Sequence, residues 1–342
     1  MNQQVKNIRE TQTLLPRQAL KAADRLRTPS ESSQPNSVVD ANSENEKSPE
    51  SSIDRLIVRL DCTQSARVTA RIVLAAEFAS VRRGIMAGAN ETLSLEERLA
   101  GVHQARRGLK RLQAMRNLLQ SGFPHGRELA RSAIRAAKAS LAETRQRDAL
   151  ASLLEELCAL RGQPLTLSAD GTAHASQVAP SAKVICDALA FVASVERTMH
   201  LSSGAPLDWY EVTQQFSKRW RNARTLAHRP WLGLGESDLH DLRKKFQRLA
   251  DQMAVLGDCI ASRRYANRDR LRSAAENLGR ARDLALLVDK IEGTTAEGRA
   301  LAKRALELRS KAIRSARQQS RLALTATASQ MSRMMNQRID RS

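Results

Sequence analysis

"VHQARRGLKRLQAMR" (Val102–Arg116) carries five Lys or Arg residues and one histidine, with no acid among them. At about 100° per residue, Arg106, Arg107 and Lys110 fall within about 60° of His103, and Arg111 lies just beyond them. Val102, Ala105, Leu109, Leu112, Met115 and Leu119 occupy the opposite arc. This pattern predicts a helix that packs through one face and presents cations on the other.

The same two-sided pattern returns 137 residues later in "LHDLRKKFQRLADQM" (Leu239–Met253). His240 falls on His103, Arg243 on Arg106, Lys244 on Arg107 and Arg248 on Arg111. Leu239, Leu242, Phe246 and Leu249 fall on the packing positions. Those matches choose the register, but others follow from it without adjustment. Arg127 falls on Arg264, Arg131 on Arg268, Arg135 on Arg272 and Arg145 on Arg282. The first copy has ten cations over this span and the second eleven. Random placement would superpose two or three, and seven superpose. Positions 127, 131 and 135 form an i, i+4, i+8 row on one helical face. Exposed Lys and Arg move at little cost, so a merely solvated surface has no reason to keep this register.

Around these segments the chain reads as helix from about residue 55. Ala, Leu, Arg, Glu and Gln dominate, and Gly and Pro fall between periodic blocks. Helices are expected near 67–88, 94–120, 125–142 and 145–161, then 181–200, 208–228, 236–257, 260–279, 282–292 and 296–336. Ser94 and Glu97 have capping-box spacing, and Ser237 or Asp238 offers a cap for the second basic helix. The expected organisation is a polar tail over 1–54 with a possible short helix near its start, a first helical repeat over 55–161, a linker over 162–180 and a second repeat over 181–342.

The 342 residues carry 56 Lys or Arg against 36 Asp or Glu, a net charge of +20. Thr28–Asp54 holds six acids and one lysine and is rich in Ser, Pro and Asn, a composition that buries too little apolar surface to fold. The remainder is therefore strongly basic, which points to an anionic partner. Four scattered cysteines show no C-x-x-C pattern, and no apolar run reaches about 18 residues, so disulfides and membrane spans are not expected. The opening residues lack the apolar core of a signal peptide, so a cytoplasmic location is expected. No nucleophile, base and orienting group recur together, so no catalytic role and no cofactor or metal site are expected.

These motifs resemble the conserved histidine α-helical domain (CHAD) family. Each half of that family has a His-x-x-Arg-basic helix, followed some forty residues later by Leu-Gly-x-x-Arg-Asp. Here the pairs are "VHQARRGLKRLQ" with "LAETRQRDAL" (Leu141–Leu150), and "LHDLRKKFQRLA" with "LGRARDLALL" (Leu278–Leu287). The separation from His103 to Arg145 equals that from His240 to Arg282. "FSKRWRNARTLA" (Phe216–Ala227) also resembles the family's basic-aromatic helix, with Arg221 and Arg224 at its basic positions. The resemblance covers about residues 65–335. Ala142 and Gln146 depart from it in the first half, and Gln247 replaces a cation in the second.

The resemblance implies an all-α fold of two tandem, pseudo-symmetric antiparallel four-helix-type bundles forming a basic groove. It implies binding of inorganic polyphosphate, often at polyphosphate granules. The site it implies comprises His103, Arg106, Arg107, Lys110, Arg111, Arg131, Arg135, Arg145, Arg221, Arg224, His240, Arg243, Lys244, Arg248, Arg268, Arg272 and Arg282. Family members are commonly fused to a triphosphate tunnel enzyme marked by Glu-x-Glu-x-Lys. "ENEK" (Glu44–Lys47) has the wrong spacing, so no such domain is expected here. Polyphosphate offers only charge, so its receptor needs closely spaced cations on a rigid frame, and Arg is favoured for its forked donors. The two histidines either brace neighbouring helices or donate to phosphate. Asp148 and Asp283 are read as partners that orient arginines. The rival reading is nonspecific binding of nucleic acid, which ten aromatic residues equip poorly for base stacking. A scaffold recruiting an unidentified partner through its tail is the third reading.

Overall fold

The structure, a computed structural model, describes residues 58–123, 127–141, 181–199, 207–231, 233–260, 265–291 and 296–341. Ile57–Ser342 forms one compact unit. Among the described residues there are nine α-helices and no strand: α1 (Ala66–Ala89), α2 (Leu95–Leu118), α3 (Arg127–Ser140), α4 (Ala182–Thr198), α5 (Trp209–His228), α6 (Glu236–Leu256), α7 (Tyr265–Lys290), α8 (Ala296–Ala323) and α9 (Ala328–Ile339). None of them is long and apolar enough to cross a membrane. The expected helix near 145–161 and the linker over 162–180 lie outside the described residues, as does the tail.

The contacts repeat between the halves. In the first, α1 packs on α2, α2 on α3, α3 on α4 and α4 back on α1. In the second, α5 packs on α6, α6 on α7, α7 on α8 and α8 back on α5, while α9 lies against α5. The two rings meet through α2, which packs on both α5 and α6. Long-range hydrogen bonds tie them together. Leu60 N donates to Val255 O at 2.8 Å, and Trp209 Nε1 donates to Gln64 O at 2.9 Å. Gln252 Nε2, fully buried, donates to Ala114 O at 3.2 Å.

The apolar faces predicted for the two basic helices are the faces that pack. Val102, Ala105, Leu109, Leu112, Met115 and Leu119 are buried, and so are Leu239, Leu242, Phe246 and Leu249. Truncating a core aromatic such as Phe246 costs about 3–5 kcal/mol. Between α1 and α2 the backbones touch. A Cβ on Gly84 would lie 2.6 Å from Gly101 O, and one on Gly101 would lie 2.7 Å from the Ala87 Cβ. Only residues without side chains allow this approach, and it carries Glu77 of α1 to the flank of α2.

Several boundaries differ from expectation. Residues 265–290 form a single helix rather than two, because Gly279 lies within it and not in a turn. The stretch expected as one helix over 296–336 breaks between α8 and α9, where Thr327 and Gln330 form a capping box. Trp220 Nε1 fixes that break by donating to Ala326 O at 2.8 Å. The Ser94–Glu97 capping box is present at the start of α2. In contrast, α6 is capped by Gly235 without a side-chain bond, and Ser237 and Asp238 lie inside its first turn.

The repeat extends to α1 and α5 at a slightly different offset. Buried positions 73, 74, 77, 78, 81, 84 and 88 recur 139 residues later, at 212, 213, 216, 217, 220, 223 and 227. Between matched positions the second half is therefore two residues shorter than the first. Glu77 therefore falls on Phe216, a substitution that bears directly on the site.

Candidate functional site

The groove begins where α2 and α6 separate. They touch at Ala114 and Gln252, and toward their N-termini a cavity of about 410 Å³ opens between them. Along α6 the lining runs His240, Arg243, Lys244, Gln247, Arg248 and Asp251, a stripe at i, i+3, i+4, i+7, i+8 and i+11. That stripe spans about 16 Å at 1.5 Å per residue. α2 contributes Arg106, Lys110 and Gln113, α3 contributes Lys138, and α7 contributes Arg282, Asp283 and Leu286. Seven Lys or Arg face one space, with two carboxylates among them.

Local contacts aim these side chains. The Arg243 guanidinium lies across the α7 backbone at Gly279, where a Cβ would come within 2.9 Å of Cζ and 3.0 Å of Nη2. The glycine of the Leu-Gly-x-x-Arg-Asp motif thus makes a seat for an arginine from α6. The same motif's Arg282 donates through Nη1 to His240 Nδ1 at 3.5 Å. The 42-residue spacing read from the sequence is, in the second half, the contact between α6 and α7. Arg106 Nη1 donates to Leu141 O beyond the end of α3. Lys138 Nζ donates to Gln113 Oε1 at 3.1 Å, and Gln247 Nε2 donates to Asp251 Oδ1 at 3.0 Å.

The electrostatics show a site short of negative charge. Burial pushes the Lys138 ammonium below its ordinary pKa, and Arg248, Arg106 and Lys244 push it further. Burial likewise lowers Arg248, with Arg219 and Arg131 adding to the effect. His240 is lowered first by burial, then by Lys244, Arg282 and Arg243. Asp251 moves the other way: burial raises it, and its Gln247 hydrogen bond with the charges of Lys110, Arg111 and Arg272 only partly offsets this. Like charges crowded into a half-dry cavity cost stability that a bound anion returns.

The structure gathers some of the sequence-predicted residues and disperses others. Arg106, Lys110, His240, Arg243, Lys244, Arg248 and Arg282 line the cavity. Arg111 instead makes a bidentate ion pair with Glu77, Nε to each carboxylate oxygen at 3.0 Å and Nη2 to Oε1 at 2.7 Å. Its repeat mate Arg248 has Phe216 where Arg111 has Glu77, and it lines the groove. Arg131 pairs with Glu128 at 3.4 Å on an exposed face, and Arg135 is exposed. Arg268 pairs with Asp269 at 2.9 Å, while Arg272 is half-buried and acts on Asp251 through its charge. His103 and Arg221 are exposed, and Arg107 and Arg224 are half-buried outside the lining. Arg145 and Asp148 lie outside the described residues, as do Ala142 and Gln146.

Sequence reasoning missed Gln113, Lys138, Asp251 and Leu286. Lys138 falls on Ala275 and Asp251 on Ala114, so a search for repeated residues passes over both. A signal for Lys138 existed, since it continues the 131, 135 row by one i+3 step.

Searches of curated proteins and of solved structures return no match. The profile of the CHAD domain matches residues 86–268, just over half of the chain. The match runs from the end of α1 into α7 and takes in both basic helices, while the α7 lining residues Arg282, Asp283 and Leu286 lie beyond it. The chain belongs to the CHAD domain family.

Proposed function

We propose that this protein binds inorganic polyphosphate in the groove between α2 and α6. The observation that carries the reading is the convergence of Arg106 and Lys110 from one half with Arg243, Lys244, Arg248 and Arg282 from the other on one cavity. A flexible polyanion with no bases meets all of these at once, whereas a nucleic-acid duplex is too wide for a cavity of about 410 Å³. The location that follows is the cytoplasm, on polyphosphate granules, and a fluorescent fusion in cells with and without polyphosphate tests it. The binding itself is tested by competition. Long-chain polyphosphate added to a complex with DNA at about 150 mM salt is expected to displace the DNA. DNA that stays bound against an excess of polyphosphate overturns the reading in favour of nonspecific nucleic-acid binding.

A further inference from the structure

Asp251 sits badly in a receptor for polyanions. It is buried, it lines the cavity, and it adjoins Gln252, whose bond to Ala114 closes the space between α2 and α6. Burial raises its pKa against the pull of the cations around it, and in its ionised form it repels any phosphate that reaches the closed end. The groups that act on it include Lys110 and Arg111 on α2, Lys138 on α3, Gln247 and Arg248 on α6 and Arg272 on α7. These cations draw phosphate toward the place where Asp251 would reject it.

Two anionic oxygens at hydrogen-bond distance are tolerated only when a proton lies between them, and the bond is then short and strong. The units of a phosphate chain differ in their ability to bring one. A terminal phosphate has a second ionisation near neutral pH, with a pKa of about 6 for a phosphate monoester, and so can carry a P–OH. An internal unit has a single, strongly acidic ionisation and carries none. We propose that the closed end of the groove is a subsite for the terminal phosphate of a chain, whose proton is shared with the Asp251 carboxylate. The rest of the chain then runs outward along Lys244, Arg243 and His240. This rests on the polyphosphate reading above and adds a polarity to it: the protein takes chains by their ends. The proton is neither gained nor lost. It passes from a P–OH bonded to water to one bonded to Asp251.

The test uses the full-length protein and one phosphate chain in two forms, with free ends and with both ends capped as alkyl esters. Isothermal titration should give at least about tenfold weaker binding for the capped chain, equivalent to about 1.4 kcal/mol. Asp251→Asn presents an amide that donates to either kind of unit and should bring the two forms within about twofold of each other. Equal affinity of the wild-type protein for both forms overturns the terminal subsite while leaving polyphosphate binding intact. A preference that survives unchanged in Asp251→Asn overturns the role of the carboxylate. Failure of both forms to bind the wild-type protein overturns the polyphosphate reading together with this one. The wild-type comparison decides the matter even if the variant folds poorly.

Discussion

Arg111 and Arg248 occupy the same register in the two halves, yet their replacement should have opposite consequences. Arg111 and Glu77 have side chains only 14 % and 7 % exposed and share a forked ion pair. Removing one partner of such a pair leaves the other charge buried and costs about 3–5 kcal/mol. At about 2–4 °C per kcal/mol for a body of this size, Arg111→Ala should lower Tm by about 6–20 °C. Polyphosphate affinity measured below the melt should change little. Replacing both residues by leucine removes the buried charges together and should recover most of the loss. Arg248 has no counterpart of Glu77, because Phe216 occupies that register, and burial with Arg219 and Arg131 disfavours its charge more than Asp251 and Asp241 favour it. Arg248→Ala should therefore hold or raise Tm. It should remove a charge-assisted bond of about 1.5–3 kcal/mol to bound phosphate, weakening binding by about ten- to a hundredfold. Thermal melts and isothermal titration on both variants separate the two effects. If Arg111→Ala loses binding as fully as Arg248→Ala while its Tm holds, the asymmetry argued from Glu77 and Phe216 is wrong.

Gly279→Ala is expected to raise helix stability by about 0.5–1 kcal/mol while displacing the Arg243 guanidinium, so Tm should hold or rise as polyphosphate affinity falls; unchanged affinity would show that the seat is not needed. Lys138→Met should also raise Tm and weaken binding, because it removes a cation that burial and three neighbouring charges disfavour; a lower Tm contradicts this. For His240, the folded protein's pKa lies below the ordinary value of 6.5. The unfolded chain therefore takes up its proton first as pH falls, and this group lowers the unliganded protein's stability below about pH 6.5. Bound phosphate favours the protonated ring, so affinity should rise as pH falls through the liganded pKa. His240→Asn should flatten that component of the profile between about pH 8 and 5.5, and an unaltered profile removes the histidine from it.

Much of this site was readable before the structure, for physical reasons that also set the limit. The packing faces of α2 and α6 were legible because a core-facing helix must keep its apolar period, and every residue assigned to those faces is buried. The cationic stripe on α6 followed from the same arithmetic. What a single helix does not disclose is what stands opposite it. Arg111 and Arg248 look alike until α1 brings Glu77 to one, the matching position on α5 being Phe216. The 131, 135 row was expected to match the 268, 272 row, but Arg131 and Arg135 are exposed while Arg272 lies half-buried near Asp251. Lys138 and Asp251 have alanines at their repeat positions, so symmetry hides the residues that make the groove's closed end unlike anything on the other half. Gly279 falls at the end of the helix expected over 260–279, whereas it lies inside α7, where its role depends on an arginine 36 positions earlier.

On the proposed function, a site and not net charge holds the polyanion. The most direct measurement compares two fourfold alanine variants of equal charge loss in polyphosphate titrations across a salt series. One removes Arg106, Lys110, Arg243 and Lys244 from the groove; the other removes Lys303, Arg304, Lys311 and Arg314 from the exposed surface of α8. The groove variant should lose at least about a hundredfold in affinity and show a shallower salt dependence, with the α8 variant staying within about threefold of wild type. Equal losses from the two variants would contradict the account.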